Sequence, residues 1–437
     1  MTELLAGFIV LMLIFFYLGI GVWVFIGLLL VSVTVQIFVL DMSFVKIGAI
    51  ASSIMLRSAS SWELAAIPMF IWMGDIIFRT DISKRLFRGL TPLVNKIPGR
   101  LLHVNIVGCT LFAAVSGSST ATAVTVGKIS LEELSKRNYD PMISVGSLAG
   151  AGSLGLLIPP SIVMIVYGIL AEVSIVQLFA AGVFPGLMIA ALYSTYIAVK
   201  VKLNPSLIMD QDIETRSFSM SDVKDLTPIG VLIVVVLGSI YTGVATPSEA
   251  AAIGVTAALL LALVTKQLTK NLFIESIMSA VKMSAMVISL VVAAALLSST
   301  MGYLHLPQKI ATAIANLDLA PYALMAMLAA FYILLGLFLE GISITVMSLP
   351  ITLPLVIQAG FDPMWFGVFL ILMVELATIT PPVGFNLFVL QGLTNMSISK
   401  IAKAAFPFFL LLVVGVVLLT IFPQIALWLP QQIAGKP

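Results

Sequence analysis

The sequence predicts an all-α polytopic membrane protein arranged as an inverted structural repeat, with two re-entrant helical hairpins and two helices broken at Pro-Pro pairs. Three observations carry that expectation. The 437 residues are 60% hydrophobic and 10% charged, where soluble domains run nearer ~45–50% and ~25%, and mean hydropathy is +1.16. Matching dipeptides recur at one offset in the two halves. Lysine and arginine crowd into loops that the repeat places on one side of a membrane.

Composition excludes several function classes. A soluble chain of this length needs far more charge to cover its surface, so a soluble enzyme, a nucleic-acid binder and a disordered protein are ruled out. The net charge of +2 supplies no field for nucleic acid. Cys109 alone cannot form an internal disulfide, and one Cys with two His has no metal-ligand spacing. The apolar stretches are continuous rather than alternating, which indicates helices and not a barrel. Glu3, with no basic residue before an apolar run that reaches Leu40, does not fit a removable signal peptide.

A span needs ~20 mostly apolar residues to cross a ~30 Å hydrocarbon core. Candidate spans are residues 4–18, 21–40, 62–79, 101–118, 120–135, 140–172, 179–200, 228–242, 247–264, 273–300, 321–339, 342–358, 363–393 and 405–429. Segments 101–118 and 120–135 meet at Ser116-Gly117-Ser118-Ser119, which is no solvent loop. Segments 140–172 and 363–393 each hold a Pro-Pro pair. The polar stretch from Lys202 to Thr227 reads as a solvated linker.

The halves on either side of that linker repeat. Asp140-Pro141-Met142 recurs as Asp362-Pro363-Met364, Pro159-Pro160 as Pro381-Pro382, and Phe184-Pro185 as Phe406-Pro407, all 222 residues apart. Three coincidences in register indicate an internal repeat. Charge gives its sense. Residues 79–100 hold six basic residues, whereas their counterpart, 302–321, holds only Lys309; 128–138 hold three and 350–360 none. Because Lys and Arg stay cytoplasmic, corresponding loops lie on opposite sides and the repeat is inverted. Seventeen of the 22 basic residues then face the cytoplasm, and both chain ends face outside. The first repeat is 1–201, with an inner hairpin at 101–138 and a broken helix at 140–172. The linker is 202–227. The second repeat is 228–437, with an outer hairpin at 321–360 and a broken helix at 363–393. Residues 81–97 alternate basic and apolar groups, as an amphipathic arm in the cytoplasmic interface would. Gln308 to Leu317 is the expected outer arm.

Chemistry should lie at the polar interruptions. Gly117 permits backbone that a helix forbids, and the hydroxyls around it can satisfy freed backbone groups. The helix that follows turns its positive N-terminus to the tip. Pro159 and Pro160 lack N–H donors, so earlier carbonyls lose helical partners. With Ser153 and Ser161 they form a hard oxygen set suited to a small cation. Glu375 to Gly384 repeats this arrangement, with Thr378 and Thr380 supplying hydroxyls, and the second tip is Leu339 to Thr345. A plain proline kink or small-residue packing patch is the structural alternative. Two discontinuous elements per half, inverted across the membrane, describe a secondary transporter with midplane sites. No Arg or Lys falls in a tip or break, so an anion needs dipoles, hydroxyls, Na⁺ or a cation folded in from elsewhere. Among charged residues inside spans, Glu340 and Glu375 flank the second hairpin and break and can shape a cation site. Asp75 and Glu249 read as structural, and Glu172 as interfacial.

These residues resemble the large membrane subunit of TRAP (tripartite ATP-independent periplasmic) transporters. The likeness rests on Ser116-Gly117-Ser118-Ser119, Ile158-Pro159-Pro160-Ser161, Thr246-Pro247-Ser248-Glu249-Ala250-Ala251 and Pro381-Pro382-Val383-Gly384-Phe385-Asn386, in the expected order. It implies the ion-transporter superfamily fold and an elevator-type carrier, not an enzyme. Such a carrier lies in the bacterial cytoplasmic membrane and imports an organic anion with Na⁺. Its implied partners are a small membrane subunit, an extracytoplasmic solute-binding protein and the lipid bilayer, with no organic cofactor. Carried over residue by residue, one Na⁺ site uses Ser116, Gly117, Ser119, Ser153 and Gly155. The other uses Glu340, Gly341, Ser343, Thr378 and Thr380. Substrate sits near Ser118, Thr120, Thr380 and Asn386. Members often carry Pro where Thr120 stands and Pro-Ser-Ser where Gly341-Ile342-Ser343 stands. Dicarboxylate carriers commonly carry His where Thr380 stands, which leaves a sulfonate, sugar acid or keto acid open beside a carboxylate. The competing readings are a stand-alone Na⁺- or H⁺-coupled carrier of the same fold without a binding protein, and a channel. An intramembrane enzyme would need a catalytic motif, and neither His-Glu-x-x-His nor Gly-x-Gly-Asp occurs.

Overall fold

Apolar continuity becomes helix along nearly the whole chain. The computed structural model describes residues 3–208, 218–305, 320–381 and 384–433. The first half contains α1 (Glu3–Gly19), α2 (Val24–Phe38), α3 (Phe44–Ala59), α4 (Ala66–Phe78) and α5 (Ile82–Val94). It continues with α6 (Leu102–Ser116), α7 (Ser119–Lys136), α8 (Pro141–Gly152), α9 (Ile162–Leu170) and α10 (Ile175–Leu203). The second half contains α11 (Met220–Tyr241), α12 (Pro247–Val264), α13 (Lys270–Tyr303), α14 (Pro321–Gly336) and α15 (Gly341–Gln358). It ends with α16 (Pro363–Thr378), α17 (Phe385–Leu393), α18 (Ile398–Ile421) and α19 (Gln424–Ile433). Two 3-10 turns, Trp62–Ala65 and Pro205–Leu207, complete the helical elements, and the described residues form no strand.

The repeated Asp-Pro pairs are helix starts, whereas Pro185 and Pro407 lie inside α10 and α18. The Asp140 carboxylate accepts from Ile143 N at 2.9 Å, with Pro141 as the first helical residue. Asp362 accepts from Met364 N at 2.7 Å and Trp365 N at 3.1 Å, with Pro363 in the same place. Side-chain acceptors satisfy otherwise orphaned N–H groups, and Pro at the first position loses nothing. Thr246 and Glu249 close α12 with a reciprocal capping box, which gives Glu249 the structural role expected of it. Asp75 pairs with Arg79 at 2.6 Å.

Six described helices, α10 to α13, α15 and α18, are long and apolar enough to cross a membrane. The repeat is visible in the packing. Helix α8 packs on α18 as α16 packs on α10; α4 packs on α12 as α13 packs on α2; α7 packs on α17 as α15 packs on α9. Such exchanged pairs are what a pseudo-two-fold axis requires. The broken helices lie deepest. Every residue of α16 from Trp365 to Thr378 is buried, as is α9 from Ile162 to Gly168, and a helix apolar on all sides belongs in the interior.

Several elements differ from the sequence expectation. Helix α3 was not anticipated; Ser43 caps it and it bends by 53° into residues 62–78. Its counterpart α13 runs 34 residues without a break. Helix α11 begins at Met220, inside the stretch read as linker, because Ser219 and Asp222 form a capping box. The span 405–429 is two helices, since Pro423 follows the end of α18 and disfavours helical backbone at Phe422. The inner arm is α5, held to α11 by Arg88, whose Nε and Nη2 reach Asp225 at 2.5 and 2.8 Å. The expected outer arm, Gln308 to Leu317, lies outside the described residues.

Candidate functional site

The site forms where both hairpin tips meet both helix breaks. Gly117 ends α6 in the left-handed region (φ 60°), which a side chain adopts rarely. A Cβ there would also stand 2.8 Å from Pro160 O, so only glycine lets the tip touch the break. Ser118 then caps α7 by accepting from Ala121 N. Gly155 meets the same tip from the other side. A Cβ on it would lie 2.5 Å from Ser119 N and 2.7 Å from Ser118 C. The pieces of the first predicted cation set are thereby in contact, and the hydroxyls of Ser116 and Thr122 lie 2.8 Å apart beside them. Ser153 turns away from the tip. Its hydroxyl donates to Gly150 O at 2.7 Å and lies 3.3 Å from Tyr193 Oη. Thr120 is exposed at the first turn of α7.

The second tip is built differently. Glu340 caps α15, accepting from Ile342 N at 3.2 Å, Ser343 N at 3.0 Å and Ser343 Oγ at 3.0 Å. Gly341 packs on α16, where a Cβ would come 2.5 Å from Val374 Cγ1. Thr378, the last residue of α16, donates to Glu375 O at 2.7 Å, and Thr380 donates to Leu376 O at 2.6 Å. Glu340 and Ser343 thus form one cluster and Thr378 another, joined through the α15–α16 contact.

Glu375 ties the two halves together. It is fully buried in the last turn of α16. Its Oε1 accepts from Ser119 Oγ at 2.5 Å and from Leu156 N at 2.6 Å, both in the first half. Its Oε2 stands 3.4 Å from Thr378 Oγ1, which accepts from Asn386 Nδ2 at 3.2 Å. Asn386 is also fully buried, and its Oδ1 has no hydrogen-bond partner among the described residues. A buried orphan oxygen is costly unless something fills its valence. Sequence reasoning marked Glu375 as an acid inside a span but assigned it no ligand position. The missing information is its reach to Ser119, 256 residues away in the chain.

The donor chemistry is hard throughout: carboxylate, hydroxyl, amide and carbonyl oxygens, which suit Na⁺-like cations and not soft metals. No group of three His, Cys, Asp or Glu that could hold a metal ion occurs among the described residues. The two helix ends also differ in charge. The N-terminus of α15 is answered by the Glu340 carboxylate, while Ser118, 222 residues earlier, leaves α7 with a neutral cap. The α7 end nevertheless also has a carboxylate beside it, since Glu375 accepts from Ser119 Oγ.

Residues 9–425 match the family described as tripartite ATP-independent periplasmic transporter, DctM component. The chain is 32% identical over 378 residues to the C4-dicarboxylate TRAP transporter large permease protein DctM of Pseudomonas aeruginosa, covering 86% of this chain and 88% of that protein. It is 31% identical over 380 residues to the isethionate TRAP transporter permease protein DctMQ of Oleidesulfovibrio alaskensis, covering 86% of this chain and 59% of that one. In fold it is similar to the YdaH transporter of Alcanivorax borkumensis, with a TM-score of 0.60 at 15% identity over 84% of this chain and 85% of that one.

Proposed function

Since the chain belongs to the tripartite ATP-independent periplasmic transporter family, as its DctM component, we propose that it imports an organic anion into the cytoplasm with Na⁺. The anion is a carboxylate, sugar acid or sulfonate handed over by an extracytoplasmic solute-binding protein. The chain works beside a small membrane subunit in the bacterial inner membrane, with its basic loops cytoplasmic. The observation that carries the reading is the continuous polar path from Ser119 through Glu375 and Thr378 to Asn386, which joins both halves at the tips and ends on an unpartnered amide oxygen. Oxygen-lined cavities at broken helices are where secondary transporters hold coupling ions. One Na⁺ would sit by Ser116, Gly117, Ser119, Ser153 and Gly155, and another by Glu340, Gly341, Ser343, Thr378 and Thr380. The anion would lie between them near Ser118, Thr120, Thr380 and Asn386. Alternating access would carry both tips past a scaffold that includes α2, α4, α12 and α13, in an elevator-like step.

Reconstitution separates the tripartite reading from a stand-alone carrier. Proteoliposomes holding this chain and the small subunit are expected to accumulate labelled solute only when the loaded binding protein is added outside. Uptake by this chain alone would establish the stand-alone carrier instead.

A further inference from the structure

Among the described residues outside the tips, one cavity-lining cation makes no ion pair. A cavity of about 1600 Å³ opens on the basic side of the molecule, between α7 on one wall and α4, α5 and the start of α13 on the other. Most of its cations are already answered. Arg79 pairs with Asp75 and with Glu275, Arg88 with Asp225, Lys84 with Asp81 at 3.8 Å and Arg137 with Glu133 at 3.9 Å. Glu132, on the same wall, is held by Lys136 at 2.8 Å. Lys128 lines the cavity, is exposed, and makes no ion pair among the described residues. It lies on the helix that begins at the neutral-capped tip, ten residues below Ser118, or about 15 Å along the axis. Thr125, which also lines the cavity, stands one turn above it.

We propose that this cavity is an anion-accepting vestibule on the cytoplasmic side, with the Lys128 ammonium as the charge partner of a small carboxylate or sulfonate leaving the tips. The proposal rests on the anion-import reading and deepens it by naming the cation that neither tip nor break supplies. Lysine is a mobile point charge that suits transient contact, and Lys128 is the cation left over among the five basic and four acidic residues of the lining.

The test reads the local potential without requiring transport. The chain has one native cysteine, Cys109, which is buried, so an Ile129→Cys reporter in the cavity wall is singular. In the complete transporter in membranes, its reaction rates with methanethiosulfonate ethylsulfonate and with the trimethylammonium analogue are compared. Lys128→Gln is expected to lower the sulfonate-to-ammonium rate ratio about fivefold, whereas Lys128→Arg and, away from the cavity lining, Lys202→Gln keep it. Excess isethionate or succinate should slow the sulfonate reagent in the parent but not in the Lys128→Gln protein, and whichever competes names the sulfonate or carboxylate class. The proposal is overturned if Lys128→Gln leaves the ratio unchanged, if Lys202→Gln moves it equally, if neither anion competes, or if the reporter reacts only from outside. Absence of Na⁺-driven uptake by the parent, with the ratio still falling in Lys128→Gln, would fault the import reading and leave the vestibule standing.

Discussion

Replacing Glu375 by alanine removes the carboxylate that accepts from Ser119 and Leu156 of the other half. Two first-half donors then lose their acceptor. Leu156 N–H is backbone and cannot turn to another partner, so its burial costs about 1–3 kcal/mol. The Ser119 hydroxyl can rotate, so its loss is nearer the net worth of one hydrogen bond, about 0.5–1.5 kcal/mol. Together these predict a loss of about 1.5–4.5 kcal/mol for Glu375→Ala. Glu375→Gln keeps an oxygen at Oε1 for both donors and should stay within about 1 kcal/mol of the parent. Denaturant unfolding of the detergent-solubilised protein measures the difference, because the midpoint moves with stability at constant slope. Equal stability of the alanine and glutamine variants would refute the cross-half hydrogen bonds as the reason for Glu375's position.

Gly155→Ala forces a methyl onto the start of α7, 2.5 Å from Ser119 N, so tip and break must separate by about 1 Å to reach ordinary contact. Overpacking of this kind costs about 1–3 kcal/mol, and Na⁺-dependent uptake should fall in step; uptake at the parental level would show that this contact is not needed. Ser119→Leu and Thr380→Phe are expected to abolish uptake while membrane insertion persists, and unchanged uptake in both would remove them from the site. A cysteine at Lys84 should react with impermeant reagent only from the cytoplasm and one at Gln358 only from outside; labelling of both from one side would contradict the inverted repeat.

The parts of this molecule legible in the sequence are those whose cause is local. Asp140-Pro141 and Asp362-Pro363 start helices because cap and first residue are adjacent in the chain. The turn at Ser116 to Ser119 is announced by its own Gly117. The polarity of residues 202–227 concealed the start of α11, since a capping box of Ser219 and Asp222 looks like linker composition until the apolar run behind it is counted. Helix α3 has 16 residues, too few for a span by itself and apolar enough only together with the bent segment 62–78, and it buries Ile47 alone, so it shows no core face. The site itself was legible by halves. Each tip and break carries its hydroxyls and glycines within a few residues, but Glu375 meeting Ser119 and Leu156 is a product of packing between repeats. Ser153 faces Tyr193 for the same reason.

The central claim is that oxygen groups gathered from both halves couple anion import to Na⁺. Its most direct test is uptake of the binding protein's labelled ligand by proteoliposomes of the complete transporter under an inward Na⁺ gradient, with and without a Na⁺ ionophore. Accumulation above equilibrium that collapses when the ionophore dissipates the Na⁺ gradient is the expected result. Accumulation that persists without that gradient, or that follows a proton gradient alone, would contradict it.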